Sequence, residues 1–220
     1  METGWRLREG NPPIPADSLS REQIWGLWFH AARQVCPDYV LTDDLLRPTL
    51  DLIRWALRIP APGVDPDKSL CLYGNIGTGK STLLQVVRKF AGFVRPVTLG
   101  RYVNGGEPYT FGIYSAREIC DLFADGNYRA IRPFRQYAAI AIDELGSESI
   151  PTMHFGTPEN VMGYILAARY DRRDTLRCTH MTTNLSPADL RRTYGDRIYD
   201  RLRETVNFIE FSGPSFRARR

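Results

Sequence analysis

The stretch Gly74-Asn75-Ile76-Gly77-Thr78-Gly79-Lys80-Ser81 decides the reading of this chain. It follows the apolar run Leu70-Cys71-Leu72-Tyr73 and precedes Thr82-Leu83-Leu84-Gln85-Val86-Val87, which gives a buried strand, a glycine-rich turn and an amphipathic helix in that order. Its fixed positions are those of the phosphate-binding loop G-x-x-x-x-G-K-[ST], in the strand-to-helix setting the motif needs. Glycines let successive backbone N–H groups turn toward a polyphosphate, and the helix N-terminus adds partial positive charge. The spacing therefore predicts an ATP cradle built from Gly74, Asn75, Ile76, Gly77, Thr78, Gly79, Lys80, Ser81 and Thr82. In it Lys80 reaches the β- and γ-phosphates and the Ser81 hydroxyl ligates Mg²⁺.

A phosphate cradle alone hydrolyses nothing, so an acidic partner is needed. The apolar strand Ala138-Ala139-Ile140-Ala141-Ile142 delivers Asp143-Glu144 at its C-terminal end, the Walker B form. Asp143 is expected to help hold Mg²⁺, and Glu144 to orient and polarise the attacking water. A later strand ends in Thr182-Thr183-Asn184. Asn184 either helps to position that water or simply turns the chain into Ser186-Pro187. Arg197 and Arg201 lie one helical turn apart and share a face. They are either a solvated helix surface or an arginine offered to a neighbouring subunit's γ-phosphate.

The bulk properties set the frame. A chain of 220 residues is one domain of usual size plus an appendage, and 43% hydrophobic residues suffice for a sizeable core. The formal charge of +4 is only mildly basic, but Arg greatly outnumbers Lys and crowds the positions from Arg191 to Arg220. Clustered Arg fits either phosphate contacts or a solvated surface. Cys36, Cys71, Cys120 and Cys178 contain no C-x-x-C pair, so neither zinc nor a disulfide framework is indicated. No apolar run approaches the ~20 residues of a membrane span. With no signal peptide at the start, the expected compartment is cytoplasmic.

Outward from the loop, residues 1–17 read as a loose proline-containing arm. Ser20-Arg21-Glu22-Gln23 has capping-box spacing and opens a helix to about Cys36. That helix carries two apolar stripes, one with Ile24, Leu27, Trp28, Ala31 and Val35, the other with Trp25, Phe29, Ala32 and Cys36. Both stripes pack within the chain, or one meets a partner. A second helix runs from about Asp44 to Ile59, with Leu46, Leu50, Ile53 and Leu57 in phase and Pro48 in its first turn. The proline-rich stretch 60–66 divides an N-terminal segment, 1–66, from a main domain, 67–220. From Lys68 onward strands alternate with helices, as in a parallel sheet with crossovers. Strands are predicted at 70–73, 109–114, 137–142, 176–183 and 206–211, with a hairpin turn at Asn104-Gly105-Gly106. Helices follow Ser115, Thr157-Pro158-Glu159 and Ser186-Pro187. In the segment 126–136, Tyr128 and Phe134 alternate with Arg129, Arg132 and Arg135. This is either a basic connecting loop or a set of stacking faces and phosphate contacts for single-stranded DNA.

Taken together, Gly74–Ser81, Ile142-Asp143-Glu144-Leu145-Gly146, Thr182-Thr183-Asn184-Leu185, Tyr194–Glu204 and Gly213-Pro214-Ser215-Phe216-Arg217 resemble the DnaC/DnaI helicase-loader family of AAA+ ATPases. The likeness covers roughly residues 68–217, and the insertion-sequence transposition ATPases share much of the pattern. The resemblance implies an α/β P-loop NTPase of AAA+ type, three-layered, with a mainly parallel five-stranded sheet in the order 5-1-4-3-2. A small helical segment precedes it, and little room follows Arg217 for a C-terminal helical lid. It implies that Asn184 is sensor 1, Arg201 the trans-acting arginine finger with Arg197 in support, and Arg217 a sensor-2-like arginine. The implied partners are a replicative hexameric helicase, single-stranded DNA and further copies of the chain sharing ATP sites, with no membrane. The family's N-terminal region grips the helicase, and the helix bearing Trp25, Trp28 and Phe29 is the expected docking element. A transposition helper assembling on duplex DNA is the nearest rival, and a P-loop kinase a more distant one.

Overall fold

Ser20 and Gln23 exchange side-chain-to-backbone hydrogen bonds and so open the first helix, α1 (Arg21–Val35), as the capping box dictates. The computed structural model describes residues 13–95, 109–173 and 178–219. Within that range the end of the N-terminal arm is anchored. Ile14 N–H donates to Phe93 O at 2.8 Å, and a short 3-10 turn spans Ala16–Ser18.

The second helix, α2 (Asp43–Ala56), buries Ile53, with Leu57 just past its end, as expected, but its buried face is shifted from the expected stripe at Leu46. Leu46, placed in the apolar stripe, is 42% exposed, whereas Leu45, Pro48, Leu52, Trp55 and Ala56 are buried. The fully buried Trp55 indole fixes the phase, its Nε1–H donating to Lys68 O at 2.8 Å. Counting aliphatic residues alone misses this, because Pro48 and Trp55 carry much of the apolar surface. Pro48 stands in the second turn rather than the first.

After β1 (Ser69–Gly74) and α3 (Lys80–Val94) the elements are β2 (Gly112–Ser115), α4 (Ala116–Ile131), β3 (Ala139–Leu145), β4 (Thr152–His154), β5 (Thr157–Glu159), α5 (Val161–Tyr170), β6 (Cys178–Thr183), α6 (Pro187–Tyr194), α7 (Asp196–Thr205) and β7 (Val206–Phe211). Five strands form one parallel sheet in the order β2-β3-β6-β1-β7. Counted along these five strands, that is the expected 5-1-4-3-2. The fold is therefore the α/β AAA+ P-loop arrangement.

Alternation along β1 shows why the sheet is covered on both faces. Leu70 and Leu72 join a core with residues of α1, α2 and α3, while Cys71 joins a second core with α4, α5, α6 and α7. The two N-terminal helices thus share a core with the helix that follows the phosphate loop. Trp28, expected among the docking aromatics, lies fully buried edge-on to Phe90 at 5.4 Å. Trp25 and Phe29 are half-buried, the latter against Tyr39.

Three local expectations are corrected. Thr157-Pro158-Glu159 does not cap a helix; it is β5, paired antiparallel with β4, and Asn160 caps α5 instead. Tyr109 and Phe111 precede the short β2, turned inward against the buried His180. Phe134, expected as a stacking face, is buried against Tyr114 and Tyr137. The Asn104-Gly105-Gly106 turn and residue 176 lie outside the described residues. No described helix is long and apolar enough to cross a membrane.

Candidate nucleotide-binding site

β1 ends at Gly74, and the chain turns through Gly77 (φ 79°) and Gly79 (φ 90°) into α3. Both angles are left-handed, which glycine adopts without cost. At Gly77 there is a second reason for glycine, because a Cβ there would stand 2.1 Å from Ser215 Oγ. Lys80 folds back over the loop, its Nζ donating to Gly74 O at 2.8 Å and Asn75 O at 2.6 Å. Burial lowers its pKa, and the Arg217 charge acts in the same direction. The nearby Glu144 and Asp143 carboxylates oppose the shift.

Ser81 Oγ donates to Asp143 Oδ1 at 2.8 Å, which joins the phosphate loop to the end of β3. The register between β3 and β6 slips by one residue between Ile142 and Leu145. This bulge puts Glu144 at φ 58°, a conformation that a non-glycine residue holds only when its surroundings impose it. Thr182, buried on β6, supplies that support. Its hydroxyl donates to Asp143 Oδ1 and accepts the Glu144 N–H at 2.9 Å. Asn184 stands exposed just past the end of β6.

Beyond β7 the chain returns to the loop. Phe216 N–H donates to Gly77 O at 2.9 Å, a 3-10 turn spans Phe216–Arg219, and the Arg217 side chain is exposed at the cleft. Lys80, Ser81, Glu144, Asn184 and Arg217 line one cleft of about 810 Å³, together with Ile76 to Gly79 and Thr82. The other wall comes from the α1–α2 connection, through Tyr39 and Val40, from Leu45 at the start of α2, and from Phe216. Sequence reasoning missed that wall, which has no motif. It also passed over Thr182, although a hydroxyl at a strand end beside paired carboxylates was a readable signal.

Arg197 and Arg201 lie elsewhere, on α7. Arg201 pairs with Asp171 at 3.1 Å and stacks on the Tyr170 ring at 4.6 Å, while Arg197 is exposed. A third cluster forms where α4 breaks at Asn127 (φ 54°). Arg129, Arg132 and Arg135 come together there with Arg172, Tyr128 and Gln136 around a hollow of about 340 Å³.

The donor set at the cleft fits Mg²⁺. Ser81 and Asp143 present a hydroxyl and a carboxylate, hard oxygen donors, on the same side of the phosphate loop.

No protein-family model matches the sequence, and no curated protein matches it. Solved structures do. The DnaC helicase loader is similar at TM-score 0.57 and 17% identity, over 84% of this chain and 98% of that one. DnaI is similar at TM-score 0.54 and 21% identity, over 83% and 92%. The replication initiator DnaA, solved with AMPPCP and single-stranded DNA, is similar at TM-score 0.53 and 15% identity, over 81% of this chain and 49% of that one. The chain has the AAA+ P-loop fold that DnaC, DnaI and DnaA share.

Proposed function

We propose that the chain binds and hydrolyses ATP in order to load or remodel a replicative DNA helicase on single-stranded DNA, acting in assemblies of its own kind. The observation that carries this reading is the convergence of Lys80, Ser81, Glu144, Asn184 and Arg217 on one cleft, with Asp143 bonded to Ser81 beside it. The likeness to two helicase-loader folds supports it.

The loop N–H groups and Lys80 hold the triphosphate, and Lys80 exchanges its two loop carbonyls for phosphate oxygens. Val40, Ile76 and Phe216 supply apolar contacts to the base. Ser81 and Asp143 would hold Mg²⁺, which would supply charge neutralisation at the triphosphate. Glu144 orients a water in line with the γ-phosphorus and takes up its proton as the bond to the ADP oxygen breaks. Asn184 fixes that water, and Arg217 meets the phosphates from the C-terminal side. Arg201, which does not line its own cleft, reaches the γ-phosphate of a neighbouring copy once it leaves Asp171 and Tyr170. Residues 1–66 carry the helicase contact, with Trp25 and Phe29 as the aromatics left partly open.

The test is capture with Glu144→Gln, which holds ATP without turning it over. Recovery of a hexameric helicase with the ATP-loaded protein supports the reading. Long ATP-dependent filaments on duplex DNA, with no helicase bound, favour a transposition helper instead.

A further inference from the structure

β4 and β5 form a separate two-stranded hairpin between β3 and α5. Such a hairpin is marginal by itself, and this one is held against α4. His154 Nδ1 bonds the Ala124 carbonyl at 2.8 Å, its ring lies 5.6 Å from Phe123, and the Tyr128 hydroxyl donates to Glu159. At the tip Phe155 is 95% exposed and adopts φ 44°, with Gly156 beside it. A left-handed turn position favours Gly, Asn or Asp, and apart from an edge contact with His154 at 4.7 Å the ring stands in water, where it contributes little to folding. The turn does not explain this phenylalanine.

Tyr128 ties the hairpin to the arginine cluster. Its hydroxyl holds β5, and Tyr128 also lines the hollow formed with Arg129, Arg132, Arg135 and Arg172. Arg129 and Arg132 are exposed and make no ion pair among the described residues. A strand rises about 3.3 Å per residue, so the Phe155 tip stands ~10 Å from the Glu159 anchor, within the span of a few nucleotides. We propose that the hairpin and the cluster form one path for single-stranded DNA, with phosphates on the arginines and an unpaired base stacked on Phe155. The concentrated positive charge at the base of the hairpin, where Tyr128 joins the two, selects a polyanion over an apolar protein surface. The inference rests on the single-strand reading above and assigns the base contact to a hairpin which that reading did not include.

The test is fluorescence anisotropy of labelled oligo-dT with the full chain and an ATP analogue, over a salt series. Phe155→Ala should weaken binding roughly ten- to a hundredfold with the salt slope unchanged, because a stack is lost and no charge. Phe155→Trp should restore binding, and its indole emission should be quenched by the oligonucleotide. Arg129→Ala with Arg132→Ala should weaken binding and lower the slope by about 1.4, at ~0.7 for each phosphate contact. If the double arginine variant weakens binding while Phe155→Ala matches the wild type, the hairpin assignment fails and the single-strand reading stands. If the wild type binds no oligo-dT, both fail.

Discussion

Thr182 Oγ1 serves Asp143 and Glu144 at once, donating to the Asp143 carboxylate and accepting the Glu144 N–H at 2.9 Å. It thereby holds the left-handed Glu144 backbone in the β3 bulge. Thr182→Val keeps the shape and removes both bonds. Nucleotide affinity should change little while hydrolysis falls on the order of a hundredfold, the cost of a small misplacement of reacting groups. Thr182→Ser should recover most of the rate in single-turnover measurements. Unchanged turnover in Thr182→Val removes the residue from the positioning of Glu144.

Lys80 and Glu144 should separate binding from chemistry. Lys80→Ala loses the ammonium that caps the loop, so nucleotide binding measured by calorimetry should disappear. Glu144→Gln should bind ATP as the wild type does and hydrolyse it ~10²–10⁴-fold more slowly, as loss of a general base does. Tight ATP binding by the lysine variant overturns the site assignment.

Arg201 tests whether sites are shared. In the single subunit it is occupied by Asp171 at 3.1 Å and by the Tyr170 ring. Arg201→Ala should leave ATP binding by monomers intact and slow assembly-dependent hydrolysis by about 10³ or more. Mixing Lys80→Ala with Arg201→Ala subunits should recover part of the activity, since some interfaces then join an intact loop to an intact arginine. A mixture that stays inactive at every ratio argues for a site completed within one chain.

His180 makes stability sensitive to acid. It is fully buried, accepting the Leu70 N–H on Nδ1 at 3.1 Å, so Nε2 carries the proton and meets Tyr109 Oη at 2.7 Å. Burial, reinforced by the Arg95 and Arg169 charges, pushes its pKa down to about 3. The folded chain therefore leaves His180 neutral where the unfolded chain takes up a proton, below about pH 6.5. From that pH down to about 3, folding stability should fall by ~1.4 kcal/mol per pH unit from this residue, with no contribution above. Urea melts of wild type and His180→Gln across pH 4 to 8 should show the variant with the shallower acid slope.

The sequence disclosed the parts of the site whose chemistry demands fixed spacing. Gly74–Ser81 and Asp143-Glu144 were legible because a phosphate cradle and a strand-end carboxylate pair tolerate few alternatives. The sheet order came from family likeness, since strand alternation says that the sheet is parallel and not which strands adjoin. What stayed hidden depends on tertiary contact. Whether Trp28 faces a partner or Phe90 cannot be read from helix periodicity, which marks an apolar face without naming what covers it. Thr157-Pro158-Glu159 matched a helix start by composition, yet pairing with β4 won, because short hydroxyl and proline residues suit an edge strand as well as a cap.

The α1–α2 connection, with Tyr39 and Val40, and Leu45 at the start of α2 form a wall of the candidate cleft and belong to the same segment whose helices pack on α3. Under the proposed function, such an arrangement would make binding at α1 and binding in the cleft thermodynamically reciprocal. On that reading, a macromolecule that shifts α1 would also shift the wall against which the base would rest, and whatever factor it imposed on nucleotide affinity the nucleotide would impose on it in return. Exchange of ATP for ADP then becomes a way of altering grip at a distance, with no separate signalling element required.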